Sequence, residues 1–512
     1  MERKPLIKEY FKGKNIFITG GTGFVGKALI EKLLRSIPDI GNIYVLMREK
    51  KGKSIQERLQ AILENPIFNV IKETGSDKLK KLIPIAGDTT QVGFGLSKSD
   101  RALLTNEIHI YFHGAASVRF DDFLKDAIFT NIRGAREAAL LALEMKQIEV
   151  FVHISTSYCN TNNRKVVHEI LYPPQGDWKE VIAVAETSNT EVLNILSQKY
   201  IEGFPNTYTY TKQLAEHCVN DLLKGRIPTV ICRPSIVVSS YSEPFMGWVD
   251  NFNGPVGLLL AGVTAIFRVF YAGSDIKTEY IPVDNVVKLI IAAAWNKSIS
   301  KDGDEVSIYH SSKYSIEDFT YKKYVEYGKR IRWDEPFENK LWFPNGEVTG
   351  NWLYFNLMII IFHIIPALVF DKLLQIAGYE PRIVKLQRKI YIANMAVSYF
   401  TTHEWSFVDT KAQELFKRIP DRETSEFNFV KMPEGDKERY EYSLACCRYV
   451  RIHFLKENKT ISKRSLITTY IFYFLHQTIK VFIFGFFMWM LLAKLDFANC
   501  HFMTLRILEL YN

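Results

Sequence analysis

The order of hydrophobic and polar positions alternates short β-branched runs with longer amphipathic stretches. From Asn15 the run NIFIT leads through a glycine-rich turn into the amphipathic KALIEKLLRSI and then into the run NIYVLM. This order predicts a strand, a helix and a second strand, which form a βαβ unit. Four later runs, separated by helical patterns, predict further strands: Leu82–Ala86, Ile108–His113, Val150–Ile154 and Thr229–Cys232. We therefore expect an α/β fold with a doubly wound parallel sheet.

The regular alternation changes twice along the chain. Beyond about Ser235 it gives way to longer connections that contain glycine and proline, which is typical of a substrate-side lobe inserted around the last strands. A mainly helical pattern then begins near Trp342. We expect four segments: an α/β domain over 1–340 that includes the lobe, a helical C-terminal domain over 341–460, a membrane segment over 466–493 and a short tail over 494–512.

Two stretches of the C-terminal part are apolar enough to enter a membrane. The first, Trp352–Phe370, carries no charge but contains Asn356, His363 and Pro366. This stretch could therefore form an interfacial helix, a helix buried in protein or a membrane span, and the sequence leaves the three alternatives open. The second, Leu466–Ala493, is apolar and aromatic apart from one interior charge, Lys480, and predicts a membrane insertion.

The flanking charges predict how that segment is oriented. Basic residues precede it at Lys456, Lys459, Lys463 and Arg464. By the positive-inside rule they keep the N-terminal side in the cytosol. The charged N-terminus, MERKPLIKEYFKGK, has no apolar core of a cleaved signal peptide. We expect a membrane-anchored chain whose main part faces the cytosol.

Composition narrows the possible partners. The chain has 47% hydrophobic and 24% charged residues, which is typical of folded globular proteins rather than of transporters. The net charge of +9 is scattered, so it suits an anionic ligand such as a phosphorylated cofactor or coenzyme A, or an anionic membrane surface. The sequence shows no nucleic-acid recognition motif. Six cysteines without a C-x-x-C pair favour a reducing compartment.

The turn after the first predicted strand has the spacing of a dinucleotide site. In TGGTGFVG the glycines Gly20, Gly23 and Gly26 follow a strand and open a helix, which is the Rossmann-like context. We expect Gly20 to form the tight turn, Gly23 to let the backbone approach the pyrophosphate and Gly26 to let helix and strand pack closely. The other residues predicted to contact the cofactor in this turn are Thr22, Phe24 and Val25.

The end of the second predicted strand carries Arg48, where an NAD enzyme usually offers an acidic residue to the ribose. A cation suits the 2′-phosphate of NADPH, and Lys50 and Lys51 add charge. The neighbouring Glu49 is acidic, so NADH stays an alternative cofactor. NADPH is the predicted cofactor.

A tyrosine and a lysine provide the candidate proton donor. In TYTYTK, Tyr208 and Lys212 are four residues apart and share one helix face, whereas Tyr210 does not. A phenol is a poor acid near neutral pH unless a nearby cation lowers its pKa, and Lys212 would be that cation.

Hydroxyl groups follow the predicted strand at Val150–Ile154. The residues Ser155, Thr156 and Ser157 stand at its carboxyl end, where ligands of parallel sheets bind. Thr156 or Ser157 would polarise a substrate carbonyl; the sequence leaves open which.

Nearby, Cys159 has no activating partner in the sequence and is predicted to be a packing residue. With no third ligand in view, His109 and His113 are predicted to be structural, and no metal site is expected.

Together these segments resemble the extended short-chain dehydrogenases/reductases, and more closely the fatty acyl-CoA reductases, over nearly the whole chain. The resemblance rests on the segments already quoted and on HGAASVRFDD, NIRGAREAALLAL, HISTSYCN, YIPVDNVV and THEWSF. It implies that Asp88 meets the adenine, that Ala115 and Asn131 lie along the cofactor or support its loop, and that Pro234 and Ser235 lie beside the nicotinamide.

The resemblance also implies the reaction: NADPH-dependent reduction of long-chain fatty acyl-CoA to fatty alcohol, by two hydride transfers through an aldehyde-level intermediate. Fatty acyl-CoA and membrane lipid are the implied partners, the endoplasmic reticulum or peroxisome is the implied location, and formation of a homo-oligomer stays open. Two other functions are considered: a membrane-bound hydroxysteroid dehydrogenase, and a non-catalytic protein that only binds dinucleotide. The long C-terminal part disfavours the first, and the intact Tyr208 and Lys212 disfavour the second.

Overall fold

A computed structural model describes residues 5–50, 52–162, 164–251, 255–300, 304–312, 319–430 and 435–509. Lys51, predicted to add charge near the cofactor phosphate, and residues 510–512 of the predicted tail lie outside the described residues. The strands are β1 Ile16–Thr19, β2 Ile43–Met47, β3 Leu82–Ala86, β4 Ile110–His113, β5 Val150–Ile154, β6 Val166–Val167, β7 Thr229–Pro234, β8 Ile236–Val238, β9 Val269–Tyr271, β10 Tyr280–Pro282, β11 Ser307–Ser311, β12 Glu347–Thr349 and β13 Ser406–Phe407.

Helices follow most of the strands. The α-helices are α1 Ile7–Phe11, α2 Phe24–Ser36, α3 Ile55–Leu63, α4 Asn69–Gly75, α5 Lys98–Glu107, α6 Leu124–Ala127, α7 Gly134–Glu144, α8 Trp178–Thr187, α9 Thr190–Tyr200, α10 Thr207–Leu223, α11 Pro255–Val263, α12 Val283–Ile299, α13 Tyr321–Asp334, α14 Trp352–Ile359, α15 Ile365–Ile376, α16 Ile383–Thr402, α17 Thr410–Lys417, α18 Asp421–Phe427, α19 Asp436–His453 and α20 Lys463–Glu509. The 3₁₀ turns are Pro66–Phe68, Ser76–Lys81, Val92–Gly95 and Ser157–Asn160, and the π-helical segments are Ile128–Arg133 and Ile360–Ile364.

The central sheet confirms the predicted fold class. In the described residues it has seven strands in the order β11-β7-β5-β4-β1-β2-β3, and every pairing within it is parallel. The strand order reverses beside β1, which leaves a crevice between the carboxyl ends of β1 and β4 where such sheets bind ligands. The six predicted strands all occur, whereas β11 at the sheet edge was not predicted.

The sheet is buried on both faces, which explains why its strands read as continuous apolar runs. One face packs against α2 and α12 and the other against α7 and α10. Helix α12 is buried on all sides from Val283 to Lys297, because helices of the C-terminal part cover the side that faces away from the sheet.

A buried ion pair fixes α10 to the sheet. Arg233 of β7 donates through Nε and Nη2 to the carboxylate of Glu216 on α10, at 2.9 and 2.7 Å. Both side chains are almost fully buried. Arg233 also donates to the backbone oxygens of His168 and Ile170, so its charge is satisfied by several acceptors. The pair sets the position of α10 relative to the carboxyl ends of the strands.

The helical C-terminal part shares the core of the α/β part. Phe416 of α17 and Val450 of α19 belong to the same buried cluster as the strands β1 and β2. Strand β13 pairs with β6, which brings the segment after α16 close to the end of β5. The C-terminal helices therefore form one wall of the crevice region.

Two apolar helices stand out on the surface. Within the described ranges, Trp352–Ile376 and Lys463–Met490 are long and apolar enough to cross a membrane. The first keeps one face against the body through Phe355, Ile359 and His363, while its other face is exposed. The second packs on α13 and the residues after it only in its first turns, through contacts such as Trp333 with Tyr470.

Candidate active site

The glycine turn between β1 and α2 has the geometry predicted for a dinucleotide site. Gly20 has a positive φ of 79°, and a Cβ there would lie 2.5 Å from the backbone of Gly114. A Cβ on Gly26 would lie 2.2 Å from the Gly20 oxygen, so helix α2 packs directly on the turn. Gly23 is exposed and is the N-cap of α2. Each glycine thus has the structural setting expected for its role.

The start of α2 is open to a phosphate group. The N-cap residue Gly23 makes no side-chain capping hydrogen bond, so the first N–H groups of this 13-residue helix are available to an anion. Thr22 is half-buried in the turn. The ring of Phe24 stacks on Trp248 at 5.0 Å, and Val25 packs against the core. The side chains of Phe24 and Val25 therefore hold the turn, and its backbone faces the crevice.

A group of charged residues lies at the carboxyl ends of β2 and β3. Arg48 and Asp88 form an ion pair at 3.3 Å, and Asp88 accepts hydrogen bonds from the backbone and hydroxyl of Thr90 at 2.9 and 2.8 Å. Partial burial disfavours the Asp88 carboxylate, but the Thr90 hydrogen bonds and Arg48 outweigh it and lower its pKa. This group lies where the resemblance places the adenine and ribose.

A second arginine joins this group, and the sequence analysis missed it. Arg58 of α3 donates to the backbone oxygen of Arg48, and its pKa is lowered by burial and by the charge of Arg48. The two cations repel each other, and a bound anion would relieve that repulsion. The available signal was the capping box of Ser54 and Glu57, which starts α3 and fixes where Arg58 points.

The loop after β4 is held against the glycine turn. Ala115 follows Gly114, which lies directly against Gly20. Asn131, in the π-helical segment, accepts from the backbone of Ser117 at 2.8 Å and donates to the Thr211 hydroxyl at 2.9 Å. Asn131 thus ties this loop to α10 and supports it.

The carboxyl ends of β5 and β7 bring the candidate hydroxyl groups together. The Thr156 hydroxyl donates to the Pro234 oxygen at 3.4 Å and accepts from the Tyr158 backbone N–H at 3.3 Å. It also lies close enough to Tyr208 to lower the pKa of that phenol. The Ser157 hydroxyl is fully buried and donates to the Arg233 oxygen at 2.7 Å. The Ser235 hydroxyl is also buried and has no hydrogen-bond partner in the described part of the chain. Thr156 is therefore the hydroxyl that lies beside Tyr208.

Tyr208 and Tyr210 lie on different faces of α10, as the helical period predicts. The ring of Tyr208 is 6.0 Å from that of Phe120, at the mouth of the site. Tyr210 is buried in another cluster, 5.6 Å from the ring of Phe204. Burial raises the pKa of the Tyr208 hydroxyl, and the neighbouring Thr156 hydroxyl offsets part of that rise. The phenol is thus protonated at neutral pH.

Lys212 is buried below Tyr208 and is held by β5. Its Nζ donates to the Ile154 oxygen at 2.7 Å and lies 3.2 Å from His153 Nε2. Burial lowers the pKa of Lys212 to about 8, although Glu216 opposes this shift. The sequence predicts that Lys212 lowers the pKa of Tyr208. In this structure burial raises that pKa, and the neighbour that lowers it is Thr156 rather than Lys212.

Two neutral histidines lie next to Lys212. His113 and His153 stack at 5.4 Å, and His113 Nδ1 is 2.7 Å from the Thr19 hydroxyl. Burial and the Lys212 charge lower the pKa of His113 to about 3, and they lower that of His153 as well. His109 accepts from the Asn15 backbone. These contacts fit the predicted structural role of His109 and His113, whereas His153 was missed although HIST precedes the hydroxyl run.

Cys159 is buried beside the ion pair rather than at the reacting groups. Its thiol donates to Glu216 at 3.3 Å, and burial raises its pKa, so it is a weak nucleophile. This agrees with its predicted packing role. A search of the described residues finds no group of three metal ligands.

The wall above Tyr208 is apolar and comes from the C-terminal part. Phe400 at the end of α16 is 5.3 Å from the Phe120 ring and 5.0 Å from the Tyr158 ring. Trp405 and Phe407, in the segment THEWSF, complete this aromatic cluster around Tyr158. The site therefore has a polar floor of hydroxyls and an apolar wall.

The parallel sheet with a glycine turn at its switch point is the fold of a nicotinamide-dependent reductase of the extended short-chain type. Its candidate reacting groups are Thr156, which follows β5, and Tyr208 and Lys212 of α10. A family model described as male sterility protein, of the NAD-binding kind, matches residues 18–290, and a second model with that description matches residues 362–457.

Named relatives specify the family. The chain is 38% identical over 446 residues to fatty acyl-CoA reductase 1 of Xenopus laevis, which covers 87% of this chain and 86% of the relative. The Homo sapiens protein of the same name is 37% identical, and the match covers 87% of this chain and 86% of the relative. Fatty acyl-CoA reductase wat of Drosophila melanogaster is 34% identical, and the match covers 82% of this chain and 80% of the relative. The chain belongs to the fatty acyl-CoA reductase family.

Solved structures show the same fold. The terminal R domain of the myxalamid biosynthetic pathway has a TM-score of 0.58 at 17% identity and covers 88% of this chain and 93% of that domain. The reductase domain of a non-ribosomal peptide synthetase from Mycobacterium tuberculosis has a TM-score of 0.57 at 16% identity, with coverages of 89% and 94%. At these identities the similarity concerns the fold.

We predict that Tyr208→Phe lowers turnover by about 10²–10⁴-fold, because it removes a proton donor with little change in volume. Nicotinamide cofactor binding, followed by its fluorescence, should change little. Tyr210→Phe is the matched control and should retain activity within a few-fold of the parent. Equal losses in the two variants would contradict the assignment of Tyr208.

Proposed function

We propose that this chain reduces long-chain fatty acyl-CoA to fatty alcohol with NADPH. The observation that carries the proposal is that the Thr156 and Tyr208 side chains meet at the carboxyl end of β5, under an apolar wall. Two hydroxyls at one point suit a carbonyl oxygen that gains negative charge, and an apolar wall suits a hydrocarbon chain. Membership of the fatty acyl-CoA reductase family supports the thioester as substrate.

Each polar group then has a role in the reaction. When bound, the cofactor supplies a hydride to the carbonyl carbon. The hydroxyls of Thr156 and Tyr208 donate hydrogen bonds to the carbonyl oxygen, and Tyr208 gives its proton to the developing alkoxide. The product of the first reduction is a hemithioacetal: its O–H returns a proton to the Tyr208 phenolate, the C–S bond breaks as the carbonyl re-forms, and coenzyme A leaves as the thiolate. In the second reduction the Thr156 and Tyr208 hydroxyls bind the aldehyde oxygen in the same way, and the alcohol is the final product.

Lys212 supplies positive charge below these hydroxyls. A cation near the phenol stabilises the phenolate that remains after proton transfer. Its bonds to the Ile154 oxygen and His153 fix its position. We assign the carbonyl-binding role to Thr156 rather than to Ser157, because Thr156 lies beside Tyr208 whereas the Ser157 hydroxyl is fully buried and donates to the Arg233 backbone oxygen.

The test of this function is product analysis with the full chain in membranes. NADPH and palmitoyl-CoA should yield hexadecanol, with two equivalents of NADPH oxidised for each coenzyme A released. One equivalent with free aldehyde would restrict the function to aldehyde formation. Oxidation or reduction of a hydroxysteroid without turnover of palmitoyl-CoA would support the steroid alternative, and turnover of neither would favour a non-catalytic protein.

Selection of NADPH over NADH is the second part of the proposal. Arg48 and Arg58 form a pair of cations with a single carboxylate, Asp88, beside them. A 2′-phosphate between them would gain two charged hydrogen-bond donors, whereas a ribose hydroxyl would not. The sequence pointed to Arg48, with Lys50 and Lys51 as added charge, and Arg58 strengthens the case.

We expect Arg48→Asp to raise the KM for NADPH by roughly 10- to 100-fold, since hydrogen bonds to charged groups contribute about 1.5–3 kcal/mol. The KM for NADH should change far less. Arg101→Asp is a matched control, because Arg101 is an exposed arginine on α5 paired with Glu144. Equal effects of Arg48→Asp on both cofactors would remove the NADPH assignment.

We further propose that α20 anchors the chain in a membrane of the endoplasmic reticulum or peroxisome, with the active site on the cytosolic side. Phe482, Phe484 and Phe487 are exposed along the helix, and a row of such residues in water is unfavourable. Its first turns stay on the protein, where Lys340 donates to the Ser465 oxygen and Thr468 hydroxyl. The inserted part therefore begins after this contact.

The double variant Phe484→Asp, Phe487→Asp should move the protein from a carbonate-resistant membrane pellet to an extractable pool, because each charge costs about 2.5–3.5 kcal/mol in a bilayer. The control Val192→Asp, Ile195→Asp places two charges at the same spacing on the exposed face of α9 and should leave the pellet unchanged. Extraction of the parent protein by carbonate would rule out the anchor.

A further inference from the structure

Two apolar cavities lie behind the reaction site, on the side away from the glycine turn. The first is bounded by β8, β10, α11, α13 and α19, through side chains that include Val238, Leu259, Tyr280, Tyr324, Tyr442 and Cys446. The second lies between α11, α13 and the segment before β9. Leu259, Tyr280, Tyr324 and Gly328 border both cavities, so the two adjoin.

The inner end of these cavities reaches the strand that leaves the reaction site. Strand β8 begins one residue after Ser235, and its Ile236 is paired in register with Tyr280 of β10. Ile236 packs in the same aromatic cluster as Tyr158, which lies two residues after Thr156. Tyr280 is thus at once a wall of both cavities and a neighbour of the reaction site.

The outer end lies beneath the apolar helix that begins at Trp352. Leu258, Phe267 and Phe270 border the second cavity and pack in one cluster with Phe355 and Ile359 of α14. The opposite face of this helix exposes large apolar side chains, among them Leu357, Ile361, Leu368 and Phe370. The cavities therefore lie between β8, the strand that follows the reaction site, and an apolar outer surface.

The walls of the cavities are mainly apolar and aromatic. Charged residues also border them, Arg439 in the first and Arg268, Lys329 and Glu347 in the second. The Tyr442 hydroxyl donates to the Ser239 oxygen at 2.6 Å, and the Tyr327 hydroxyl donates to Asp436 at 2.6 Å. Burial raises the pKa of Tyr280 and Tyr324, so these phenols stay neutral. The apolar and aromatic part of such walls accepts a hydrocarbon.

Two helical glycines keep the passage open. A Cβ added to Gly262 of α11 or to Gly328 of α13 would meet no atom within 4 Å. Gly328 borders both cavities and therefore stands where they join. A larger side chain at this position would extend into the space between them.

We infer that the two cavities are one passage that holds the acyl chain of the substrate, with the thioester at Thr156 and Tyr208 and the methyl end toward α14. This inference rests on the proposed function and adds the location of the chain. It implies that Gly328 sets how long a chain is accepted, and that the end of a long chain approaches the helix whose outer face exposes Leu357 and Ile361.

Gly328→Leu in the full chain tests the inference. We expect kcat/KM for palmitoyl-CoA to fall by about 10- to 200-fold, the range that a lost fit of a hydrophobic pocket produces, while octanoyl-CoA is used within a few-fold of the parent. Gly328→Ala should give an intermediate effect. Gly485→Leu is the matched control, since Gly485 is also a helical glycine with no atom within 4 Å of an added Cβ, and it should change neither substrate.

The outcomes separate the two proposals. If the parent reduces neither acyl-CoA, the proposed function fails. If the parent reduces palmitoyl-CoA and Gly328→Leu retains its kcat/KM, or loses both substrates equally, the passage is wrong while the function stands.

If Gly328→Leu does not fold, a labelling experiment on the parent protein tests the position of the acyl chain instead. Palmitoyl-CoA with a diazirine at its methyl end should label peptides of α11 or α13, whereas an eight-carbon analogue should label the segment of Tyr158 or β8. Labelling of other peptides by the long probe would overturn the inference.

Discussion

The buried pair of Arg233 and Glu216 is the interaction on which the geometry of the site depends. Removing two charges from water is unfavourable. Arg233 offsets this by two hydrogen bonds to the Glu216 carboxylate and by further hydrogen bonds to two backbone oxygens. The pair joins the end of β7 to α10, one helical turn beyond Lys212. It thereby fixes the height of Tyr208 over Thr156 and places a negative charge where it keeps the pKa of Lys212 from falling further.

Much of the fold could be predicted because its signals are local. The runs that form β1, β2 and β5 are apolar on both sides, since both faces of the sheet are covered, and the glycine turn has one structural solution at this position. The helical period alone separated Tyr208 from Tyr210. Strand β11 was not predicted because its run SIYHS contains serine and histidine, which are unusual in a buried strand. His310 can be buried there because its backbone N–H donates to Glu169 and its Nδ1 is hydrogen-bonded to the Val408 oxygen.

The parts of the site that could not be predicted depend on contacts between distant segments. Arg58 reaches Arg48 only because α3 starts at Ser54 and lies across the end of β2. The proposed choice of Thr156 over Ser157 depends on where the chain places the two hydroxyls: Ser157 is fully buried against the Arg233 oxygen of β7, whereas Thr156 lies beside Tyr208 of α10. Lys212 likewise turns toward Ile154, which is 58 residues earlier in the chain. Spacing along one helix cannot reveal such partners.

The aromatic cover formed by Phe400 and Trp405 affects the order in which the protein matures. The sheet, the glycine turn and α10 all leave the ribosome before these two residues, and N-terminal parts of a chain fold first. At that stage a nascent chain has a cofactor crevice but no wall over Tyr208, and water reaches the phenol freely. A closed reaction chamber therefore requires that the segment around Trp405 has docked, and the apolar wall over Tyr208 is complete only in the fully folded chain.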